Sequence, residues 1–237
     1  MAGHSKWANI KHRKAAQDAK KGKAFTRLSK EITVAAKEGG DPGFNPRLRT
    51  LIEKARQVNM PVDNITRAIK KGTGELPGAQ YEAHSYEGYG PHGIAVIVET
   101  LTENKNRAVA EVRHAFNKGG GSMGDAGSVA WMFERAGVIK LVKTGQTEDE
   151  LLELLLDHDI KDIRESDDLW IITCAPTETD AVRKTLEDKK YKIEHAELEW
   201  VPKESIELED DQMDKAVDFL ESLEALDDVQ NVYTNLG

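Results

Sequence analysis

Apolar positions recur at helical spacing through the first third of the chain and at strand spacing through much of the rest, with the change near residue 80. Phe25, Leu28, Ile32 and Ala35 share one face of a helix predicted over 23–38, and Gly39-Gly40 stops it. Asn45-Pro46 opens a second helix as N-cap and first helical residue. Its stripe is Leu48, Leu51, Ile52, Ala55 and Val58, and Met60-Pro61 breaks it. Ile65 and Ile69 mark a short third helix over 63–71, with Gly72 past its end. Residues 73–78 (TGELPG) have the composition of a linker.

From Tyr81 the period is two. Residues 81–87 alternate, 88–93 (GYGPHG) turn, and 94–101 (IAVIVETL) form a β-branched strand. A helix follows over 104–118, with Ala108, Val112, Ala115 and Phe116 inward, and Gly119-Gly120-Gly121 ends it. Residues 128–133 (SVAWMF) read as a strand. The next stretch has the order of a β-α-β-β-α-β unit: strand 138–143, helix 147–157, strands near 160–164 and 168–174, helix 177–189 and strand 191–201. The tail adds a short strand (206–208), a helix (211–226) and a last strand (229–234). Too small to fold alone, the tail is expected to return to the sheet begun at Tyr81. The expected fold is α+β with three domains. A helical domain (1–78) precedes two α/β sandwich-like (ferredoxin-like) domains, 79–135 plus 204–237 and, inserted in it, 136–203.

Charge changes this picture. The chain has 237 residues and a net charge of −9, which taken whole argues against a nucleic-acid binder. Residues 1–71, however, hold 17 Lys and Arg against 6 acids, and 72–237 hold 16 against 36, so the halves carry +11 and −20. Such asymmetry points to a basic binding module on an acidic, solubilising body. The density peaks in residues 1–27: Lys6, Lys11, Arg13, Lys14, Lys20, Lys21, Lys23 and Arg27 stand against Asp18 alone, interleaved with Trp7 and His12. Lys and Arg contact phosphates, and Trp and His stack on exposed bases. Arg47 and Arg49 extend the patch, and Arg56, Arg67, Lys70 and Lys71 add to it.

Other chemistries find little support. The nine residues 119–127 (GGGSMGDAG) follow a helix and lack the Gly-Lys-Ser/Thr ending of a phosphate loop, so they read as a flexible turn. The seven histidines show no metal-ligand spacing, no serine has a nucleophile-elbow setting, and one cysteine, Cys174, supports neither a disulfide framework nor a Cys-based metal site. Eleven acids and one Lys between 204 and 228 read as the wet face of a helix. The expectation is a protein that is no enzyme, with no cofactor, no metal, no small-molecule substrate and no membrane span, in the cytoplasm.

Residues 1–14 (MAGHSKWANIKHRK) resemble the opening signature of the YebC/PmpR family, which includes the mitochondrial translational activator of cytochrome oxidase. The likeness continues through 41–72, 86–121, 127–139 and 227–235, and over 140–200 it is one of pattern. It implies three domains, the third inserted in the second, and a non-enzymatic regulator of gene expression. The family is described as DNA-binding transcriptional regulators. A second description makes it ribosome-associated, assisting translation of proline-rich stretches. The resemblance places Lys6, Trp7, Lys11, His12, Arg13 and Lys14 near the nucleic acid, and a start directly at the signature favours a bacterial cytosolic member. The leading expectation is DNA binding for transcription regulation. The alternative is a translation factor gripping ribosomal RNA, since the basic residues of the third helix lie at its C-terminal end, away from where recognition helices read bases.

Overall fold

The structure, a computed structural model, describes residues 19–78 and 80–237. The helical part comprises α1 (Ala19–Ala35), α2 (Pro46–Gln57) and α3 (Val62–Gly72). Asn45 organises it. Its carboxamide oxygen accepts from Leu48 N at 3.0 Å, capping α2, while its Nδ2 donates at 2.8 Å each to Ala35 O and Gly39 O. One buried side chain thus starts the second helix and satisfies carbonyls left open at the end of the first. Ile32, Leu48, Leu51, Ile52, Met60 and Ile65 form the shared core.

Two four-stranded antiparallel sheets follow. The first runs β3-β1-β2-β8, from β1 (Glu82–Tyr89), β2 (Ala95–Thr102), β3 (Ser122–Met123) and β8 (Val229–Thr234). The second runs β5-β6-β4-β7, from β4 (Phe133–Val142), β5 (Ile160–Ser166), β6 (Leu169–Cys174) and β7 (Ile193–Pro202). The tail does return: β8 pairs with β2, placing Val232 opposite Val98. Helices α4 (Lys105–Lys118) and α7 (Asp210–Glu224) cover one face of the first sheet, with Phe116 and Phe219 edge to face at 5.2 Å between centroids. The opposite face of β2, through Ala95 and Ile97, packs on Val129, Phe133 and Trp200. Covered on both faces, β2 reads as a continuous apolar run rather than an alternating one. In the second sheet, α5 (Glu148–Leu154), started by a Thr147/Glu150 capping box, and α6 (Thr179–Asp188) enclose Leu141, Leu151, Ile172 and Leu186. Its strand order is that of a ferredoxin-like unit.

Three expectations need correction. Residues 128–132 are not a strand but a turn running into a 3-10 segment, Ala130–Met132. Val129 N and Ala130 N donate to the Glu87 carboxylate, and Ser128 N and Met132 N to local carbonyls, so these donors are closed to a ladder. The strand after them starts at Phe133 and runs unbroken to Val142, paired with β7 along its length. The strand expected over 206–208 is a single bridge, Ile206 to Leu236.

Helices α1 and α3 meet most closely at Gly72, where a Cβ would lie 2.3 Å from Thr33 O and 2.6 Å from the Ala36 Cβ. Gly72→Ala must push the helices apart, so it should lower stability by roughly 1–3 kcal/mol despite the better helix propensity of alanine. Thermal unfolding followed by circular dichroism measures this. An unchanged or raised midpoint would mean that the contact yields without strain.

Candidate nucleic-acid interface

The basic helical part is held to the first sheet by α1. Lys30, buried, donates from Nζ to Asp228 Oδ1 at 2.7 Å, to Asp227 O at 2.8 Å and to Leu101 O at 3.3 Å. Asp228, 3 % exposed, also accepts on Oδ2 from Arg107 Nη2 at 2.8 Å and Thr102 Oγ1 at 2.7 Å. Burial by itself would raise the Asp228 carboxyl, but the hydrogen bonds from Arg107, Lys30 and Thr102 outweigh it and hold it below the usual range. A turn earlier along α1, Arg27 Nη2 donates to Glu224 O at 2.9 Å and Lys23 Nζ donates to Ala225 O. These carbonyls end α7, where orphan acceptors and the negative end of the helix dipole favour cations.

A second contact joins α2 to the second sheet. Lys54 pairs with Glu197 on β7. Burial and then repulsion from Glu197 raise the Glu31 carboxyl, while Lys54, Arg47 and Arg27 pull it down. Nearby, Glu99 of β2 ties the two sheets together, accepting from Trp200 Nε1 at 3.1 Å and pairing with Arg135 at 3.0 Å. Asp228 and Glu197 thus meet the helical part from the side of the two sheets.

The sequence-derived binding residues divide accordingly. Lys6, Trp7, Lys11, His12, Arg13 and Lys14 lie outside the described residues. Lys20 and Lys21 fall in the first turn of α1, where the backbone is described. Lys23 and Arg27 have their heads on the end of α7, a placement that their local charge density does not reveal. Arg47 and Arg49 are exposed, as are Arg56, Arg67, Lys70 and Lys71. Phe44, 91 % exposed and three residues before Arg47, was missed because an aromatic in a Gly/Pro loop belongs to no periodic pattern.

The wet-face reading of residues 204–228 also fails at its last acid, because Asp228 is the buried centre of the joint. The glycine-rich loop has a physical explanation. Glu87, on β1, accepts from Gly127 N at 2.8 Å, Val129 N at 2.9 Å and Ala130 N at 2.8 Å. Burial would raise its carboxyl, but these three backbone donors lower it on balance. The loop is an anion nest already filled by the protein's own carboxylate. Elsewhere, His158 lies 2.8 Å from Glu178 and 3.0 Å from Thr185, a chain that ties the turn after α5 to α6. Among the described residues no group of His, Cys, Asp and Glu could hold a metal ion, and no helix is long and apolar enough to cross a membrane.

Two family models match. Residues 5–75 match the N-terminal domain of the TACO1/YebC protein, and residues 81–236 match the TACO1/YebC second and third domain. Curated relatives include a "Probable transcriptional regulatory protein" of Koribacter versatilis, 51 % identical over 236 residues that span 100 % of this chain and 95 % of the relative. A protein of the same description from Maridesulfovibrio salexigens is 52 % identical over 235 residues, covering 99 % and 95 %. Among solved structures, the conserved hypothetical protein Aq1575 from Aquifex aeolicus superposes with a TM-score of 0.88 at 45 % identity, covering 98 % of this chain and 97 % of that one.

The joint makes a pH-dependent contribution to stability. Because the folded carboxyl of Asp228 titrates below its unfolded value, its stabilisation is present above about pH 4 and fades as pH falls through the folded pKa. Asp228→Asn should cost about 3–5 kcal/mol near pH 7, since it leaves Lys30 buried beside a neutral amide. Denaturant melts of both proteins from pH 7 to 3 should show the difference constant down to about pH 4 and narrowing below it. A difference independent of pH would show that the carboxylate's charge is immaterial.

Proposed function

The chain belongs to the TACO1/YebC family, and on that premise we propose that it is a non-enzymatic regulator of gene expression that binds DNA through its basic helical part. The observation that carries this is the division of charge across one folded body. On the helical part, Arg47, Arg49, Arg56, Arg67, Lys70 and Lys71 are exposed, while Lys30 and Lys54 pair with Asp228 and Glu197 and Lys23 and Arg27 meet the last carbonyls of α7. Cations left in water rather than tied to the body suit a polyanion. The printed description of the curated relatives, "probable transcriptional regulatory protein", agrees with this reading. In it, residues 1–78 form the binding domain, 79–135 with 204–237 form the body, and 136–203 form an inserted third domain, all acting in the cytoplasm.

One observation favours a second reading, structured RNA of the ribosome and a role in translation. The first turn of α3 carries Asp63, while Lys70 and Lys71 stand in its last turn. A recognition helix entering the major groove presents its N-terminal residues to bases. An acid there meets the phosphates flanking the groove unfavourably, and an irregular RNA surface imposes no such entry.

Replacing Lys6, Lys11, Arg13 and Lys14 with Ala should weaken binding to a mixed duplex-DNA pool and to ribosomes steeply, with no fall in melting temperature. A variant that melts early would instead make the segment part of the fold. For the unaltered protein, the logarithm of affinity against that of salt should slope at roughly −4 to −6 if five or six phosphates of duplex DNA are neutralised. Filter binding across a salt series measures it, and a flat line would remove the polyanion reading.

A further inference from the structure

Between α1 and α3, at the joint with the first sheet, lies a crevice of about 310 Å³. The side of α1 that lines it contributes Phe25, Ser29 and Lys30, and α3 contributes Asn64, Arg67 and Lys71 at one-turn intervals on a single face. Tyr81, just before β1, closes the far wall, with the Lys30 ammonium 5.7 Å from its ring centroid. The helices converge at Gly72, and Thr33 Oγ1 donates to Ala68 O at 3.2 Å, so the crevice has a firm end.

Its lining is selective in chemistry. Lys30 is already neutralised by Asp228, whereas Arg67 and Lys71 make no hydrogen bond or ion pair among the described residues. The Asn64 amide and the hydroxyls of Ser29 and Tyr81 are likewise without a partner among them. Two free cations four residues apart suit one phosphate, a free amide suits the edge of a base, and an aromatic wall suits its face. The volume stands at the small end of the range of about 300–1,000 Å³ typical of ligand pockets, which fits one nucleotide and excludes a base pair.

We propose that this crevice holds one unpaired nucleotide of the bound strand, its phosphate between Arg67 and Lys71 and its base against Tyr81. This rests on the nucleic-acid reading above and deepens it: the helical part grips the backbone, and the crevice selects a position where a base has left the stack. The shared chemistry is an unstacked phosphorylated nucleoside, in DNA or RNA.

The test measures affinity by fluorescence anisotropy for hairpins identical but for one bulged nucleotide, each made as DNA and as RNA. The unaltered protein should prefer the bulged form by roughly tenfold. Tyr81→Ala should remove that preference while keeping affinity for the paired hairpin, and Tyr81→Phe should restore it. Arg67→Ala should remove the preference as well, with an added loss of affinity for both hairpins because Arg67 also belongs to the basic face. A preference in only one of the two chemistries identifies the strand. Equal affinity for bulged and paired hairpins would overturn the crevice while leaving the general reading standing. Failure to bind any hairpin would overturn both. Saturable binding of free adenosine monophosphate, lost in Arg67→Ala and unaccompanied by a bulge preference, would replace the strand with a free nucleotide and overturn the proposal as stated.

Discussion

The carboxylate of Asp228 is the constraint on which the arrangement of the molecule depends. It is buried at the turn between α7 and β8, and it satisfies a lysine from the helical part, an arginine from α4 and a threonine from β2. A carboxylate taken out of water needs such company, because its desolvation costs several kcal/mol unless donors replace the lost hydration. The same residue's backbone carbonyl accepts from Leu101 N at 2.8 Å, so the edge of the sheet and the helical part are referenced to one point. From that point α1 runs along the end of α7, where Lys23 and Arg27 meet the last carbonyls.

This arrangement sorts the charges. A chain of −9 overall brings together a segment of +11 and one of −20, and left free the two would collapse on each other wherever contact allowed. Among the described residues, ion pairs such as Lys30 with Asp228 and Lys54 with Glu197 meet part of that attraction at defined points. Arg49, Arg56, Arg67, Lys70 and Lys71 stay in water on helices packed around the core of Ile32, Leu48, Leu51 and Ile65. Rigidity matters for binding a polyanion because a preorganised patch loses less side-chain freedom on contact than a mobile one.

How far the sequence discloses this depends on the range of the interaction responsible. Helices α2 and α4 are legible because their signals are local: Asn45 and Asn104 each cap a helix from within three residues, and the apolar stripes follow at once. The strand and helix order from 138 to 201 is legible for the same reason. Residues 128–132 mislead because their β-branched and aromatic character favours a strand, while Glu87, forty residues away, captures their backbone donors. Asp228 is illegible in a run of acids, since nothing local separates the one that is buried from the ten others. Among the cations, Arg47 and Arg49 have the exposure that their position on the polar side of α2 implies. Lys23 and Arg27 do not, because their partners lie about two hundred residues on.

On this reading, the exposed face of the helical part meets nucleic acid. Hydrogen–deuterium exchange of the full chain, with and without saturating nucleic acid, tests it most directly. Exchange should slow only in residues 1–72 and the adjoining turn at Tyr81, with α5 and α6 unchanged. Protection centred on the second sheet and its helices, with the helical part unaffected, would contradict it.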